Sequence, residues 1–161
     1  MAKFDLTSSD FSQGGTIAMA QVFTDCKGSN VSPALKWSGA PEGTRSFALL
    51  VHDPDAPTGS GWWHWIAYNI PAGTSSLPAG AGDPKKNLMP AGAVQGRNDY
   101  GAPGYGGPCP PPGKPHHYNF RLYALKVAKL ELPADASAAA ISFNVRAQAL
   151  GTAELTGMYG R

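Results

Sequence analysis

The 161-residue sequence is short of cysteine, charge and long apolar runs. No stretch approaches the ~20 apolar residues that cross a bilayer, and residues 1–10 lack the apolar centre of a secretory leader. The expected location is therefore the cytoplasm. The two cysteines, Cys26 and Cys109, could pair, but a reducing compartment favours two free thiols. No cation adjoins Cys109 in sequence to hold a thiolate, so it is expected to be neutral and packed. Charged residues make up 15% of the chain and the net charge is +2, with no basic run longer than Lys85-Lys86. That excludes the electrostatic footprint of a nucleic-acid binder. The sole close-spaced pair of metal-ligand residue types is His116 and His117, which diverge on a regular strand. No metal and no cofactor is expected, although His64, His116 and Asp53 are of the types that ligate zinc.

Glycine and proline are plentiful instead: 20 Gly and 15 Pro beside an ordinary 42% hydrophobic content. Many short segments joined by shaped turns point to an all-β chain with a minor helix, organised as a single domain over residues 1–161. Residues 45–53 contain the continuous apolar run 47–51, bounded by Gly43 and Pro54, and read as a strand buried on both faces. Residues 62–70 form a second strand. Regular alternation puts Trp62, His64, Ile66, Tyr68 and Ile70 on one face and Trp63, Trp65, Ala67 and Asn69 on the other. Residues 116–125 form a third, with His116, Tyr118, Phe120, Leu122 and Ala124 opposite His117, Asn119, Arg121 and Tyr123. Shorter strands are expected at 3–8, 17–23, 93–97 and 153–159. One helix is expected over 134–150, capped by Asp135 or Ser137 and stopped by Gly151, with Ile141, Val145 and Ala149 buried alongside Phe143 and Leu150.

Chemistry concentrates in two places. Asp53 leaves the buried strand at a turn stiffened by Pro54 and Pro57, and His64 follows eleven residues later. Antiparallel pairing of those strands can bring the carboxylate to the imidazole and raise its basicity. The alternative is an aspartate capping a turn and a histidine filling a tryptophan-rich core. The second place is the loop 100–115, where glycines open unusual backbone angles and prolines remove amides. Its remaining N–H groups could converge on an anion, or the stretch could be a plain surface connection.

Four motifs occur in register: Asn30-Val-Ser-Pro33 followed by Trp37, Asp53-Pro-Asp-Ala-Pro57, Trp62-Trp-His-Trp65, and Gly104-Tyr-Gly-Gly-Pro-Cys-Pro-Pro111 with His116-His-Tyr118. In order and spacing they resemble the phosphatidylethanolamine-binding protein family, and in particular its small bacterial YbhB/YbcL branch, often labelled Raf-kinase-inhibitor-like. The resemblance covers nearly the whole chain, including the ending Glu154-Leu-Thr-Gly-Met-Tyr159. It implies an antiparallel β-sandwich with Greek-key connections and a small pocket for phosphate, phosphorylated head groups or carboxylate-like anions. It assigns the pocket to Asp53, His64, His116 and Tyr118, with the backbone of Gly106, Gly107 and Pro108 as a wall. Asp55, Trp62 and His117 become its supports. The bacterial branch commonly pairs as homodimers, and family labels include modulation of a partner kinase or protease.

The family usually carries arginine where this chain has His117. Histidine offers fewer donors and a charge that fades near neutral pH, and since it faces away from Tyr118 it is expected to partner Asp55. Either both pocket imidazoles are protonated and outweigh the Asp53 charge, or Asp53 is itself protonated and donates to the anion, so phosphate affinity is expected to fall above pH ~6.5. Two other readings draw on the same residues. The Asp, His, His and Tyr set could serve acid–base catalysis in a hydrolase or cyclase, although no Ser or Cys sits in a nucleophile elbow. Trp37, Trp62, Trp63 and Trp65 could be stacking platforms for a carbohydrate or protein, or ordinary core.

Overall fold

The apolar run 47–51 forms the middle of the sheet, where each face of a strand can be covered by a different layer. The computed structural model describes residues 3–161. Within them lie β1 (Asp5–Thr7), β2 (Leu35–Ser38), β3 (Ser46–Asp53), β4 (Trp62–Pro71), β5 (Ser76–Leu77), β6 (Val94–Gln95), β7 (His116–Leu125), α1 (Ala138–Ala147) and β8 (Ala149–Tyr159). The strands form two antiparallel sheets, ordered β1-β2-β5 and β6-β4-β3-β7-β8. In the larger sheet β7 returns to lie beside β3 after β4 and β6 have been laid down, which is a Greek-key order.

β3 is buried along both faces. Phe47, Leu49 and Val51 join Leu6, Leu35, Trp37 and Leu77 of the small sheet in one core. Ala48 and Leu50 join Ile141 and Val145 of α1 in the other. Burial of a side chain of this size stabilises the fold by about 1.5–3 kcal/mol. β7 keeps the regular alternation, with Tyr118, Phe120, Leu122 and Ala124 in the small-sheet core and Tyr123 on the helix side.

β4 does not alternate as the pattern predicts. Its pairing with β3 skips twice, between the pairs Phe47–Ile70 and Leu49–Ala67, and between Val51–Trp65 and His52–Trp63. Each skip is a bulge that inserts one extra residue and re-aims the side chains beyond it. Trp65, Ala67 and Ile70 consequently share the small-sheet core, while Ile66 and Tyr68 pack toward α1. Asn69, in the left-handed region at φ 58°, makes the second bulge. Its amide group both donates to and accepts from the backbone of Leu130.

Other expectations are also corrected. Residues 17–23 are turns, held by hydrogen bonds from Gln21 N to Ala18 O and from Val22 N to Met19 O. Their apolar residues anchor a loop and do not alternate. α1 is shorter than 134–150: Ser137 Oγ caps it by accepting from Ala140 N, and Ala149 already pairs with Leu125 in β8. Ile141 and Val145 face the core, but Phe143 is 75% exposed and Leu150 42% exposed. Two helical steps carry Phe143 about 200° round from Ile141, and β8 claims Leu150.

Candidate functional site

The larger sheet gathers its chemistry at one end. Asp53 is the last residue of β3, Trp62 the first of β4, and His116 the first of β7. Because β3 lies between β4 and β7, antiparallel pairing brings these three ends together. With His64 and Tyr118 they line a cavity of about 350 Å³.

Asp53 is buried, and both of its oxygens are occupied. Oδ1 accepts from Asp55 N at 2.8 Å, and Oδ2 lies 2.7 Å from His116 Nδ1. The sequence pairing of Asp53 with His64 is therefore overturned. Asp53 stands opposite Trp62 in register, and the bulge at His64 turns the imidazole toward the loop, leaving the carboxylate to β7. His64 Nδ1 donates to the Gly106 carbonyl at 2.6 Å. A carbonyl can only accept, so the proton sits on Nδ1, and the neutral ring presents a bare Nε2.

His64 is 3% exposed. Burial pushes its pKa down to about 4, with the Gly106 carbonyl and the Asp53 charge pulling weakly the other way. At neutral pH it is uncharged, which removes the two-imidazolium arrangement expected from sequence. Tyr118, 1% exposed, stacks edge-on to His64 with ring centres 5.1 Å apart. Burial, then the Asp53 charge, raises its phenol well above the ordinary range, so it remains a hydroxyl. Neither that hydroxyl nor the Trp62 indole N–H has a hydrogen-bond partner among the described residues.

Gly106, Gly107 and Pro108 sit behind this wall and do not line the cavity. Their amides do not converge on it. Gly106 N donates to His64 O and Gly107 N to Asn30 Oδ1, while Pro108 O accepts from Phe23 N. Glycine is needed here for close approach: a Cβ on Gly107 would collide with the Gln21 carbonyl, and one on Gly106 with the Tyr100 ring. Asp55 and His117 meet outside the cavity, the Asp55 Oδ2 accepting from both the backbone N and Nδ1 of His117. The backbone bond first and the ring bond second hold the Asp55 carboxyl below its usual range.

The opposite wall combines Tyr100, Cys109, Pro110 and Pro111 of the loop 100–115 with Phe23 and Asp25, which the sequence did not single out. Tyr100 stacks on Phe23 at 3.9 Å and 8°, and its hydroxyl donates to Gly107 O. Cys26 and Cys109 are joined in a disulfide, with Cα atoms 5.5 Å apart, which corrects the expectation of two free thiols. The Phe23 N to Pro108 O bond draws the two segments together across 83 residues of sequence, a proximity no local pattern reveals. Among the described residues no group of three or more His, Cys, Asp or Glu side chains is arranged to hold a metal.

A family model described as phosphatidylethanolamine-binding protein matches residues 7–160. The chain belongs to the phosphatidylethanolamine-binding protein family. Within that family it is 50% identical to the UPF0098 protein YbcL of Escherichia coli over 98% of this chain and 88% of that protein. It is 42% identical to YbhB of the same organism, over 96% and 98% of the two chains. The crystal structure of E. coli YbcL, described as a member of the mammalian PEBP family, superposes with a TM-score of 0.96 at 49% identity, covering 99% of each chain. A phosphatidylethanolamine-binding protein homologue from Chlamydia trachomatis, CT736, superposes at 0.83 with 34% identity, over 100% of this chain and 99% of that one. Against the family pattern, His117 stands in place of arginine, hydrogen-bonds Asp55 and does not line the cavity.

Proposed function

We propose that the cavity binds a small oxyanion: phosphate, a phosphorylated head group or a related anion. The observation that carries this reading is the pair of buried donors, Tyr118 Oη and Trp62 Nε1, without partners among the described residues in a cavity where the Asp53 carboxylate is already engaged and Asp25 stands on the opposite wall. Buried polar groups are normally satisfied, and leaving one bare costs about 1–3 kcal/mol. An anion's oxygens supply acceptors for both. His116, when protonated, adds an Nε2 donor while its Nδ1–H stays on Asp53, so the carboxylate orients a donor and does not oppose the ligand. Membership of a family named for phosphatidylethanolamine binding supports the same chemistry.

Calorimetric titration with inorganic phosphate and with phosphoethanolamine tests the reading. Saturable binding is expected, weakened about tenfold or more in Tyr118→Phe, because a hydrogen bond to a charged group contributes about 1.5–3 kcal/mol. Wild-type protein that binds neither ligand, or a Tyr118→Phe variant with unchanged affinity, rejects it.

The described residues contain no helix long and apolar enough to cross a membrane. The Cys26–Cys109 disulfide supports an oxidising compartment as the site of action, in place of the cytoplasm expected from the sequence.

A further inference from the structure

We infer that the cavity reads the ligand's proton: His64 Nε2 accepts a hydrogen bond from a P–OH group, so the site selects tetrahedral oxyanions that still carry a hydroxyl over those that carry none. The inference rests on the anion-binding reading above and names the form of anion that fits it.

The geometry is set by Gly106. Its carbonyl takes the only proton that a neutral His64 carries, at 2.6 Å, and leaves a lone pair on Nε2. His64 lines the cavity beside Tyr118 and Trp62, whose O–H and N–H have no partners among the described residues. His64, Tyr118 and Trp62 thus offer two donors and one acceptor, and His116 Nε2 adds a further donor when protonated and a further acceptor when neutral. A fully deprotonated oxyanion satisfies the donors but sets one of its oxygens against the His64 Nε2 lone pair. A hydroxyl-bearing anion satisfies all three, its P–OH donating to Nε2 and its remaining oxygens accepting. Sites that match a substrate hydrogen with a buried partner reject analogues lacking it far more strongly than apolar pockets reject a change of size.

The surroundings leave His64 no proton source of its own. The charged and titratable groups around it are Asp53 from β3, His116 and Tyr118 from β7, Tyr100 and Asp25 from the opposite wall, and His52 one strand away. Asp53 is held by His116 and Asp55 N, and Tyr100 donates to Gly107 O. Tyr118 remains a neutral donor. Burial keeps the His64 ring uncharged at neutral pH, in agreement with the tautomer that the carbonyl imposes.

The choice of ligands separates a proton carried by the ligand from one gained by the protein. Methyl phosphate and methyl sulfate carry the same single charge at pH 5, but only the phosphate has a hydroxyl. Methyl phosphate loses that hydroxyl on its second ionisation near pH ~6, whereas inorganic phosphate keeps one through pH 8. Titrations of wild-type protein at pH 5 and pH 8 are expected to give methyl phosphate at least tenfold tighter than methyl sulfate at pH 5. At pH 8 methyl phosphate should fall to the level of methyl sulfate while inorganic phosphate is retained. Nitrogen-15 resonances of the complex should show His64 protonated at Nδ1 and bare at Nε2. In His64→Gln, whose amide both donates and accepts, the preference for methyl phosphate should shrink toward unity.

Equal affinity for methyl phosphate and methyl sulfate at pH 5 overturns the inference while leaving anion binding intact. A parallel loss of all three ligands between pH 5 and pH 8 assigns the effect to a group of the protein and overturns it too, as does a His64 Nε2 that gains a proton on binding. Failure of every anion at both pH values removes the anion-binding reading itself.

Discussion

The two walls of the cavity are built by different means. On one side Asp53, Trp62, His64, His116 and Tyr118 stand at the ends of β3, β4 and β7, and the hydrogen-bonded register of three central strands fixes their positions. On the other side Phe23, Asp25, Tyr100 and residues 109–111 belong to turns and a proline-rich loop, held by one disulfide, the Phe23–Tyr100 stack, edge contacts of Tyr100 with Trp62 and His64, and single hydrogen bonds. The strand wall carries the groups that can discriminate a ligand's protons. The loop wall encloses them, and its integrity depends on a few cross-links. Local opening is expected to begin there, because regions with few ladder bonds are the first to unfold.

The largest test of this contrast is removal of the cross-link. Closing an 83-residue separation restricts the unfolded chain, and Cys26→Ser with Cys109→Ser should cost about 4–5 kcal/mol in denaturant unfolding. Because two hydrogen bonds join Gly106 to His64 independently of the disulfide, the His64 tautomer read by NMR should survive in the folded fraction. A loss below about 1 kcal/mol would show the loop wall holding without its disulfide.

A somewhat smaller effect should come from the strand wall through pH. The folded-state pKa of His64 is depressed from 6.5 to about 4, so between those values the unfolded chain binds the extra proton. Its contribution is complete above pH 6.5 and is lost as pH falls toward 4, by about 3 kcal/mol in all. Unfolding curves of wild type and His64→Gln from pH 4 to pH 7 check this. The variant should show a flatter acid limb, and identical slopes would refute the assignment to His64.

The smallest change is in the ring stack. Tyr100→Phe keeps the Phe23 contact but removes the bond to Gly107 O, and should cost about 1 kcal/mol. A cost several times larger would mean that the loop wall is coupled to more of the molecule than its ring contacts and hydrogen bonds convey, and hydrogen exchange over residues 100–111 would locate the coupling.

Much of the strand wall was legible in the sequence. The run 47–51 announces a strand buried on both faces, and the alternation in 116–125 puts His116 and Tyr118 on one side, as they are found. The same logic failed in β4, because a period of two assumes unbroken pairing and the bulges at His64 and Asn69 break it. It also failed at Phe143, which the 3.6-residue period of a helix directs outward. Phe23 and Asp25 left no local signal, since they join the cavity beside a loop remote in the chain.

By itself the sequence determined the fold class, the central strand, the family and the residue types able to meet an anion, because these follow from short-range periodicity and from motifs kept in order. Only the tertiary structure decided that Asp53 belongs to His116, that Gly106 takes the His64 proton, that the glycine-rich loop turns its amides away from the cavity, and that Cys26 and Cys109 join. Those choices depend on strand register and on distances between segments far apart in sequence. Backbone pairing sets both, and side-chain pattern alone does not encode them.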